Sequence, residues 1–231
     1  MIAIIGAMPE EIAAILRISQ ATEEITVKKK VMYKTKLFNK DIIVALSGVG
    51  KVEAAYTCQL LLNEFEIELI INIGSAGGLQ PGQHIGDVVI ASECQYHDFI
   101  IFQDDPLEGL ERFDFRTDSR LVKIMKKSLD DLKIRNWIGL VVSGDQFIST
   151  KEQSQSIINR FPFAICSEME ATAIAHVCTL EEKPYVIIRS LSDIALKQGN
   201  EVDFETYLPL AAASSANACL LFLTKYSQLQ I

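Results

Sequence analysis

Apolar positions follow two different periods along this chain, and the two alternate from one end to the other. Short uninterrupted apolar runs predict buried strands, and apolar residues at three-to-four spacing predict amphipathic helices. The predicted strands cover residues 2–5, 69–73, 87–94, 138–142, 163–166 and 185–191, and residues 24–47 alternate as in a meander that closes with residues 41–46. The predicted helices cover residues 52–65, 171–178 and 204–226, about residues 9–19, and a segment opened by the capping-box pattern of residues 149–152.

This order of elements predicts an α/β fold, a three-layer sandwich with a mixed central sheet flanked by helices. No linker, repeat or low-complexity tract interrupts residues 1–231, so we expect a single domain. Residues 98–116 lack clear periodicity and carry four phenylalanines. An aromatic loop of that length in a compact domain is typical of a lid or an interface element.

Composition and charge narrow the possible partners. The chain is 49% hydrophobic and has a net charge of -8, which argues against a surface for nucleic acid or for an anionic membrane. No apolar run approaches the length of a membrane span, and the apolar N-terminus has no basic flank, so we interpret it as a first strand and not as a signal peptide. The five cysteines lie mostly among apolar residues, as expected for reduced thiols in a cytoplasmic protein.

Acidic side chains follow several of the predicted strands. They are Glu10, Glu11, Asp145, Glu168, Glu170 and Asp193. Because the ends of parallel strands share one edge of a sheet, these carboxylates are expected to converge there. Glu168 and Glu170 precede a helix and have no nearby Lys or Arg in the sequence, which favours a polar ligand, with helix capping as the alternative. Several converging carboxylates are what hydrolysis of a glycosidic bond requires.

Three glycine-bearing turns are predicted after strands, at residues 6–8, 47–51 and 74–78. None has the spacing of a dinucleotide fingerprint or of a phosphate-cradling loop, so a nucleoside triphosphate is not expected. We favour a ligand that approaches the backbone at residues 74–78, with tight turns that bind nothing as the alternative.

Two other kinds of site find little support in the sequence. The pairs Cys94/His97 and His176/Cys178 have loose or unsuitable spacing, and zinc needs three or four converging ligands, so no metal site is expected. No serine lies in a Gly-x-Ser-x-Gly elbow, which argues against a serine hydrolase.

Six segments, in order and spanning nearly the whole chain, carry a family resemblance. They read IIGAMPEE (4–11), SGVGK (47–51), NIGSAGG (72–78), SGDQFI (143–148), EMEATAIA (168–175) and RSLSD (189–193). Together they resemble the purine nucleoside phosphorylase superfamily, and within it the 5'-methylthioadenosine/S-adenosylhomocysteine nucleosidases. The resemblance implies a cofactor-free hydrolase with a nucleoside phosphorylase-like fold, usually a homodimer, with water as nucleophile. The implied small-molecule substrates are methylthioadenosine, S-adenosylhomocysteine and 5'-deoxyadenosine.

Carried over by position, the resemblance gives chemical roles to three carboxyl groups. Glu11 matches the carboxylate that activates water, and the helix dipole at a first helical turn favours its ionised form. Asp193 matches the acid that protonates adenine N7, and an apolar strand beside it favours the protonated form. Glu170 matches a ligand of the ribose hydroxyls, which stabilises the sugar as positive charge develops at its anomeric carbon.

The resemblance also implies the walls of a substrate pocket. Met169 packs against the sugar, and Glu168 falls on the ribose side. Phe147 and Ile148 match residues that hold the adenine. Other residues that the resemblance places at the pocket are Met8, Val49, Ser75, Ala76, Gly77, Ser192 and Phe204.

Three alternatives stay open at this point: a hydrolase of 6-amino-6-deoxyfutalosine, a phosphate-dependent phosphorylase, and a silent nucleoside-binding or storage protein. Phosphorylases of the superfamily place an arginine near the first glycine turn, whereas Glu11 there favours water over phosphate. Residues 99–116 depart from the family pattern, in which this loop reaches the neighbouring subunit's pocket. The preference for the 5'-substituent and the contact with a partner therefore stay open, and Lys197 alters the pocket rim.

Overall fold

One sheet organises the chain, and a computed structural model describes residues 1–19, 22–100, 113, 115–195 and 200–229. The strands are β1 (Ile2–Gly6), β2 (Glu23–Val27), β3 (Lys30–Leu37), β4 (Lys40–Leu46), β5 (Leu69–Gly78), β6 (Val88–Tyr96), β7 (Phe115–Arg116), β8 (Asn136–Ser143), β9 (Ala164–Glu168) and β10 (Tyr185–Ile194). The helices are α1 (Pro9–Leu16), α2 (Lys51–Glu64), α3 (Ser119–Asp130), α4 (Lys151–Arg160), α5 (Ala171–Leu180) and α6 (Asn200–Leu229).

The sheet is mixed, as the sequence predicts. Strands β4, β1, β5 and β10 pair in parallel, and so do β6, β8 and β9. Antiparallel pairing of β10 with β6 and of β5 with β9 closes five strands into a ring. Because β1, β5 and β10 run in the same direction, their carboxyl ends share one edge of the sheet.

Helices cover both faces of the sheet. Successive side chains of a strand point to opposite faces, and in β1 the side chains on both faces are apolar, so both faces need to be covered. Ala3 and Ile5 of β1 pack in a buried cluster with α2 and α5. Ile2 and Ile4 pack in a second cluster with α1, α3 and α6. The three-layer arrangement predicted from the sequence is therefore confirmed.

Strands β5 and β10 are longer than the apolar runs that predict them. The sequence predicts a strand that ends at residue 73 and a glycine turn at residues 74–78, but β5 continues through Gly78 and pairs there with β9 and β10. Asp193 likewise lies within β10 and not after it. These two predictions are wrong because the glycines continue the ladder where a buried side chain approaches the backbone. A Cβ atom at Gly74 would overlap the guanidinium of Arg189.

The bounds of α1 and α6 and the cap of α4 differ from the sequence pattern. α6 spans Asn200–Leu229, where the pattern predicts residues 204–226. α1 ends at Leu16, three residues earlier than expected, and the bonds of Ile18 N and Ser19 N run from i to i−3. The capping box of α4 is formed by Thr150 and Gln153, whereas the pattern of residues 149–152 predicts Ser149 with Glu152. Thr150 Oγ1 accepts a bond from Gln153 N at 3.2 Å, and Gln153 Oε1 accepts one from Thr150 N at 2.9 Å.

Two further helices correct the sequence analysis. α3 is not predicted, although Asp118 caps it by accepting a bond from Arg120 N at 2.7 Å. Asp203–Gln228 within α6 is long and apolar enough to cross a membrane by length and composition, so the expectation that no run has that length is wrong. Half of the most apolar 18-residue stretch of this helix is buried inside the fold, as in the core helix of a globular protein.

Candidate active site

A cavity of about 380 Å³ opens at the edge of the sheet where β1, β5, β9 and β10 end. It is lined by Ala7, Met8, Glu11, Val49, Ser75, Ala76, Gly77, Phe147, Ser167, Glu168, Met169, Glu170, Ser192, Asp193 and Phe204. This set includes every residue that the family resemblance places at the site except Ile148, which lines a smaller adjoining cavity. The fold therefore collects in one place residues that the motifs spread along the whole chain.

Glu11 is held by the backbone around it. It is the third residue of α1, so its side chain reaches back to the amides that precede the helix. Its Oε2 accepts bonds from Ala7 N at 2.8 Å and Met8 N at 3.2 Å, and its Oε1 accepts one from Ser75 N at 3.1 Å. Burial raises the pKa of Glu11, against the lowering effects of Arg189 and of these three N–H groups. The net shift is upward, so Glu11 takes up a proton more readily than an ordinary glutamate.

A buried arginine lies among the carboxylates of the cavity. Arg189 is 1% exposed, its Nη2 contacts Glu168 Oε2, and the same nitrogen lies 3.7 Å from Glu170 Oε2. Two further bonds go to acceptors of β5. Although burial opposes its charge, Glu168, Glu170 and Glu11 raise the pKa of Arg189. No Lys or Arg lies near Glu168 and Glu170 in the sequence, but the fold supplies a basic partner from β10, a strand remote in sequence.

Glu168 is bonded to the protein through both carboxylate oxygens. Oε1 accepts a bond from Ser143 Oγ, and Oε2 accepts bonds from Glu170 N at 2.9 Å and Ala171 N at 2.8 Å. These bonds satisfy amides at the start of α5 and set the direction of the Glu170 backbone. Glu168 lines the cavity, but its observed contacts hold the neighbouring groups in place, and a contact with ribose stays a prediction.

Glu170 is a buried carboxyl group that faces the cavity and is bonded to the glycine-bearing turn at residues 47–51. Its Oε1 accepts a bond from Gly50 N at 2.9 Å. Burial and repulsion by Glu168 raise the pKa of Glu170 to about 7, against the opposing effects of Arg189 and Gly50 N. A carboxyl group that changes charge near neutral pH is suited to bonding with the hydroxyls of a sugar in either direction.

Asp193 reaches the cavity at an irregularity in β10. The register with β5 shifts between Leu191 and Asp193, and Ser192 and Asp193 both line the cavity. Successive residues of a regular strand face opposite sides, so this bulge is what brings the two side chains to one site. Asp193 is 1% exposed, and its Oδ1 accepts a bond from Ser192 Oγ at 2.9 Å.

Aromatic rings form the outer wall of the cavity. Phe147 and Phe204 meet nearly edge to face, with ring centroids 5.2 Å apart. Phe147 follows β8 and Phe204 belongs to α6, so the two rings join distant parts of the chain. An apolar slot with a few polar groups at its base is typical of a site for a planar heterocycle.

Two comparisons with known proteins identify the family. The phosphorylase superfamily matches residues 1–225. The 5'-methylthioadenosine/S-adenosylhomocysteine nucleosidase of Staphylococcus saprophyticus is 40% identical over 220 residues, which cover 94% of this chain and 96% of the relative. The chain belongs to this nucleosidase family. The resemblance drawn from the six sequence segments is confirmed.

Solved nucleosidases of the family have the same fold. The enzyme from Neisseria meningitidis, in complex with methylthio-immucillin-A, matches with a TM-score of 0.90 and 34% identity over 96% of this chain and 97% of the other. The enzyme from Colwellia psychrerythraea, in complex with adenine, matches with a TM-score of 0.90 and 32% identity over 97% and 94%. The nucleoside phosphorylase-like fold is therefore also confirmed.

Some candidates from the sequence lie outside this nucleosidase-like cavity. Glu10 is exposed, and Asp145 lies at the rim, where it accepts a bond from Lys51 N. Residues 101–112 and Lys197, for which the sequence analysis expects effects on the rim and the partner, lie outside the described residues. Across the ranges that the structure describes, no group of three or more His, Cys, Asp or Glu side chains is arranged to hold a metal ion.

Sequence reasoning missed Arg189, as well as Ala7 and Ser167 in the lining of the cavity. Arg189 stands in the RSLSD segment, but no role was given to it. The signal was present, because an arginine inside an otherwise apolar strand needs buried acidic partners.

Proposed function

We propose that this protein hydrolyses the N-glycosidic bond of 5'-methylthioadenosine and S-adenosylhomocysteine, releasing adenine and the thioribose product, and that it accepts 5'-deoxyadenosine. The observation that carries this proposal is the convergence of Glu11, Glu170 and Asp193 in one cavity walled by aromatic rings. The family supports it, because relatives that span nearly the whole chain are nucleosidases for the first two substrates.

The three carboxyl groups divide the reaction between them. Asp193 gives a proton to adenine N7 as the bond between C1' and N9 breaks, so the base leaves neutral. Glu170 bonds the ribose hydroxyls while positive charge develops on the sugar. Glu11 takes a proton from water as the water oxygen bonds to C1'. The sugar gains a hydroxyl group, and no cofactor takes part in these steps.

Water suits this site better than phosphate as the nucleophile. Glu11 lies at the first glycine turn, where a carboxylate repels an anion. The nearby Arg189 contacts Glu168 and lies close to Glu170, so its charge is already balanced inside the protein. The phosphorylase alternative needs uncompensated positive charge at this point, and the hydrolase does not.

Adenine release from methylthioadenosine in phosphate-free buffer tests the proposed function. Rapid release is the expected result. Release that starts only after phosphate is added would make the protein a phosphorylase, and preferred turnover of 6-amino-6-deoxyfutalosine would change the substrate. Adenine binding without turnover of either nucleoside would support the binding-protein alternative.

A homodimer is part of the proposal. Val49, Val52 and Tyr56, at the start of α2, are 52%, 77% and 46% exposed. Exposed apolar side chains grouped on one face mark an interface, and Val49 also lines the cavity. A partner seated here, with segment 98–116 near the neighbouring pocket, would border the substrate. Light scattering over a range of protein concentrations is expected to give the dimer mass, and a monomer mass throughout would contradict this part.

We also place the enzyme in the cytoplasm, where it serves methionine salvage and removes by-products of methyl transfer. The five cysteines are free and buried, as suits a reducing compartment. Residues 1–231 are proposed as one domain, since β1 to β10 share one sheet and α6 packs against it. Cell fractionation that finds the protein outside the cytoplasm would contradict the proposed location.

A further inference from the structure

The N-terminus of α2 contacts both the cavity and a loop at its rim. Gly50 N donates to Glu170 Oε1 at 2.9 Å, and the next amide, Lys51 N, donates to Asp145 Oδ1 at 2.8 Å. Gly50 has a φ of 98°, and a Cβ atom there would lie 3.1 Å from Asp145 Oδ1. Two successive amides thus fix the distance between a carboxyl group of the cavity and the segment that carries Asp145.

The side chain of Lys51 closes this arrangement into a ring. Its Nζ donates to both oxygens of Asp98, at 2.8 and 2.7 Å, and lies 3.6 Å from Asp145 Oδ2. Asp145 N donates in turn to Asp98 Oδ2 at 2.9 Å. We call these three residues the Lys51 ring. The side chains of Lys51 and Asp98 are only 23% and 30% exposed, so their contacts are less screened by water than those of a surface pair.

The segment from Gly144 to Phe147 connects the Lys51 ring, to which Asp145 belongs, with the sheet. On the sheet side, Gly144 N donates to Glu168 O at 3.1 Å. On the other side, Asp145 is bonded through its backbone N–H and its carboxylate. Phe147, two residues further on, forms the aromatic wall of the cavity. The carboxylate of Glu11 is held from outside the ring, by the N–H groups of Ala7, Met8 and Ser75.

We propose that the Lys51 ring is a positioning device that holds the segment 144–147, and with it the aromatic wall for the base, at a fixed distance from Glu170. This inference rests on the proposed function. Lys51, Asp98 and Asp145 act through Phe147 and Glu170 and are positioning residues. Because the ring sets where the base and ribose are bound and makes none of the bonds that hold Glu11, its loss is expected to weaken binding more than the chemical step.

The Lys51→Met variant tests this role, because methionine keeps a long flexible side chain and removes the ammonium group. The expected result is a rise of about five- to tenfold in KM for methylthioadenosine and in Kd for adenine, with kcat within about twofold of wild type. Lys51→Arg, which bonds Asp98 with a forked guanidinium, is expected to restore both constants.

Lys225→Met is the matched control. Lys225 pairs with Asp131 at similar side-chain exposure, 28% and 47%, on the distant helix α6. Thermal unfolding of all variants separates loss of stability from loss of binding. Wild-type KM and adenine affinity in Lys51→Met, or an equal change in Lys225→Met, would overturn the proposal. The Kd for adenine is measured without turnover and therefore tests the ring independently of the reaction. A wild-type protein that binds adenine but forms none from methylthioadenosine would contradict the proposed function, and the adenine Kd of the variants would still test the ring.

Discussion

Gly74 and Arg189 lie opposite each other on the paired strands β5 and β10, and the guanidinium of Arg189 occupies the space that a side chain at Gly74 would fill. They are partners in the register of the two strands. A Cβ atom at Gly74 would overlap Nη1 of Arg189 and lie 3.0 Å from Oε1 of Glu11. The missing side chain therefore makes room for the guanidinium among the carboxylates. Buried acidic groups need such a cation, since an uncompensated charge away from water is strongly destabilising.

Gly74→Ala is expected to displace Arg189 and to lower turnover by about a hundredfold, because a small misplacement of bound groups costs that much. The free energy of unfolding is expected to fall by about 3 kcal/mol as the buried charge loses its partners. Gly139→Ala on β8 is the control, since the three atoms nearest to its Cβ would all belong to the flexible side chain of Ile165, the first at 3.0 Å. Adenine release and urea denaturation measure both effects, and wild-type turnover in Gly74→Ala would contradict the account.

Glu11→Gln is expected to reduce turnover about a thousandfold, because the amide cannot take a proton from water. Burial raises the pKa of Glu11, so its contribution to stability is present below the unfolded pKa and is lost as pH rises through the folded pKa. A neutral glutamine avoids that loss but has one acceptor oxygen where Glu11 has two, so the variant is expected to stay close to wild-type stability at neutral pH. Glu10→Gln changes the exposed neighbour and is expected to behave like wild type. Normal turnover by Glu11→Gln would remove Glu11 from the mechanism.

Glu170→Gln is expected to change how stability depends on pH. The folded pKa of Glu170 is raised to about 7 from an ordinary value of 4.5, so ionisation costs more in the folded than in the unfolded state. Its contribution to the free energy of unfolding is therefore present below pH 4.5 and lost as pH rises through about 7. Urea denaturation at several pH values is expected to show a decline over this range that is shallower in Glu170→Gln. Parallel curves for the two proteins would contradict the raised pKa.

Glu168→Gln distinguishes a residue that holds the site together from a simple ribose ligand. Loss of the charge facing Arg189 is expected to lower the free energy of unfolding by about 3 kcal/mol. Ser143→Ala removes one bond to Glu168 and one from Thr172 N, and is expected to cost about 1 kcal/mol. Equilibrium denaturation compares the two. If Glu168 only bound ribose, Glu168→Gln would keep wild-type stability and change KM alone.

Local sequence pattern accounts for most of the fold. The apolar run of β1 and the helical spacing of α2 depend on neighbours in sequence, and both elements lie where the pattern predicts them, within a residue. α3 was also predictable from local pattern. Its buried face is formed by residues with helical spacing, namely Leu121, Val122, Met125 and Leu129.

The parts that the sequence did not predict depend on contacts between distant segments. The continuation of β5 past residue 73 requires its pairing with β9 and β10, and a glycine-rich run reads locally as a turn. The bulge that turns Asp193 into the cavity and the ion pair of Arg189 with Glu168 have the same origin. The resemblance carried by the six segments implied most residues of the cavity, but only the fold shows which of them bond to one another.

The central claim is that water, activated at Glu11, attacks the anomeric carbon. The most direct measurement is a reaction with methylthioadenosine in water labelled with heavy oxygen, with inorganic phosphate present, followed by mass spectrometry of the sugar product. The account predicts free methylthioribose that carries the label, formed at the same rate with or without phosphate. A sugar phosphate as the product, or release that depends on phosphate, would contradict it.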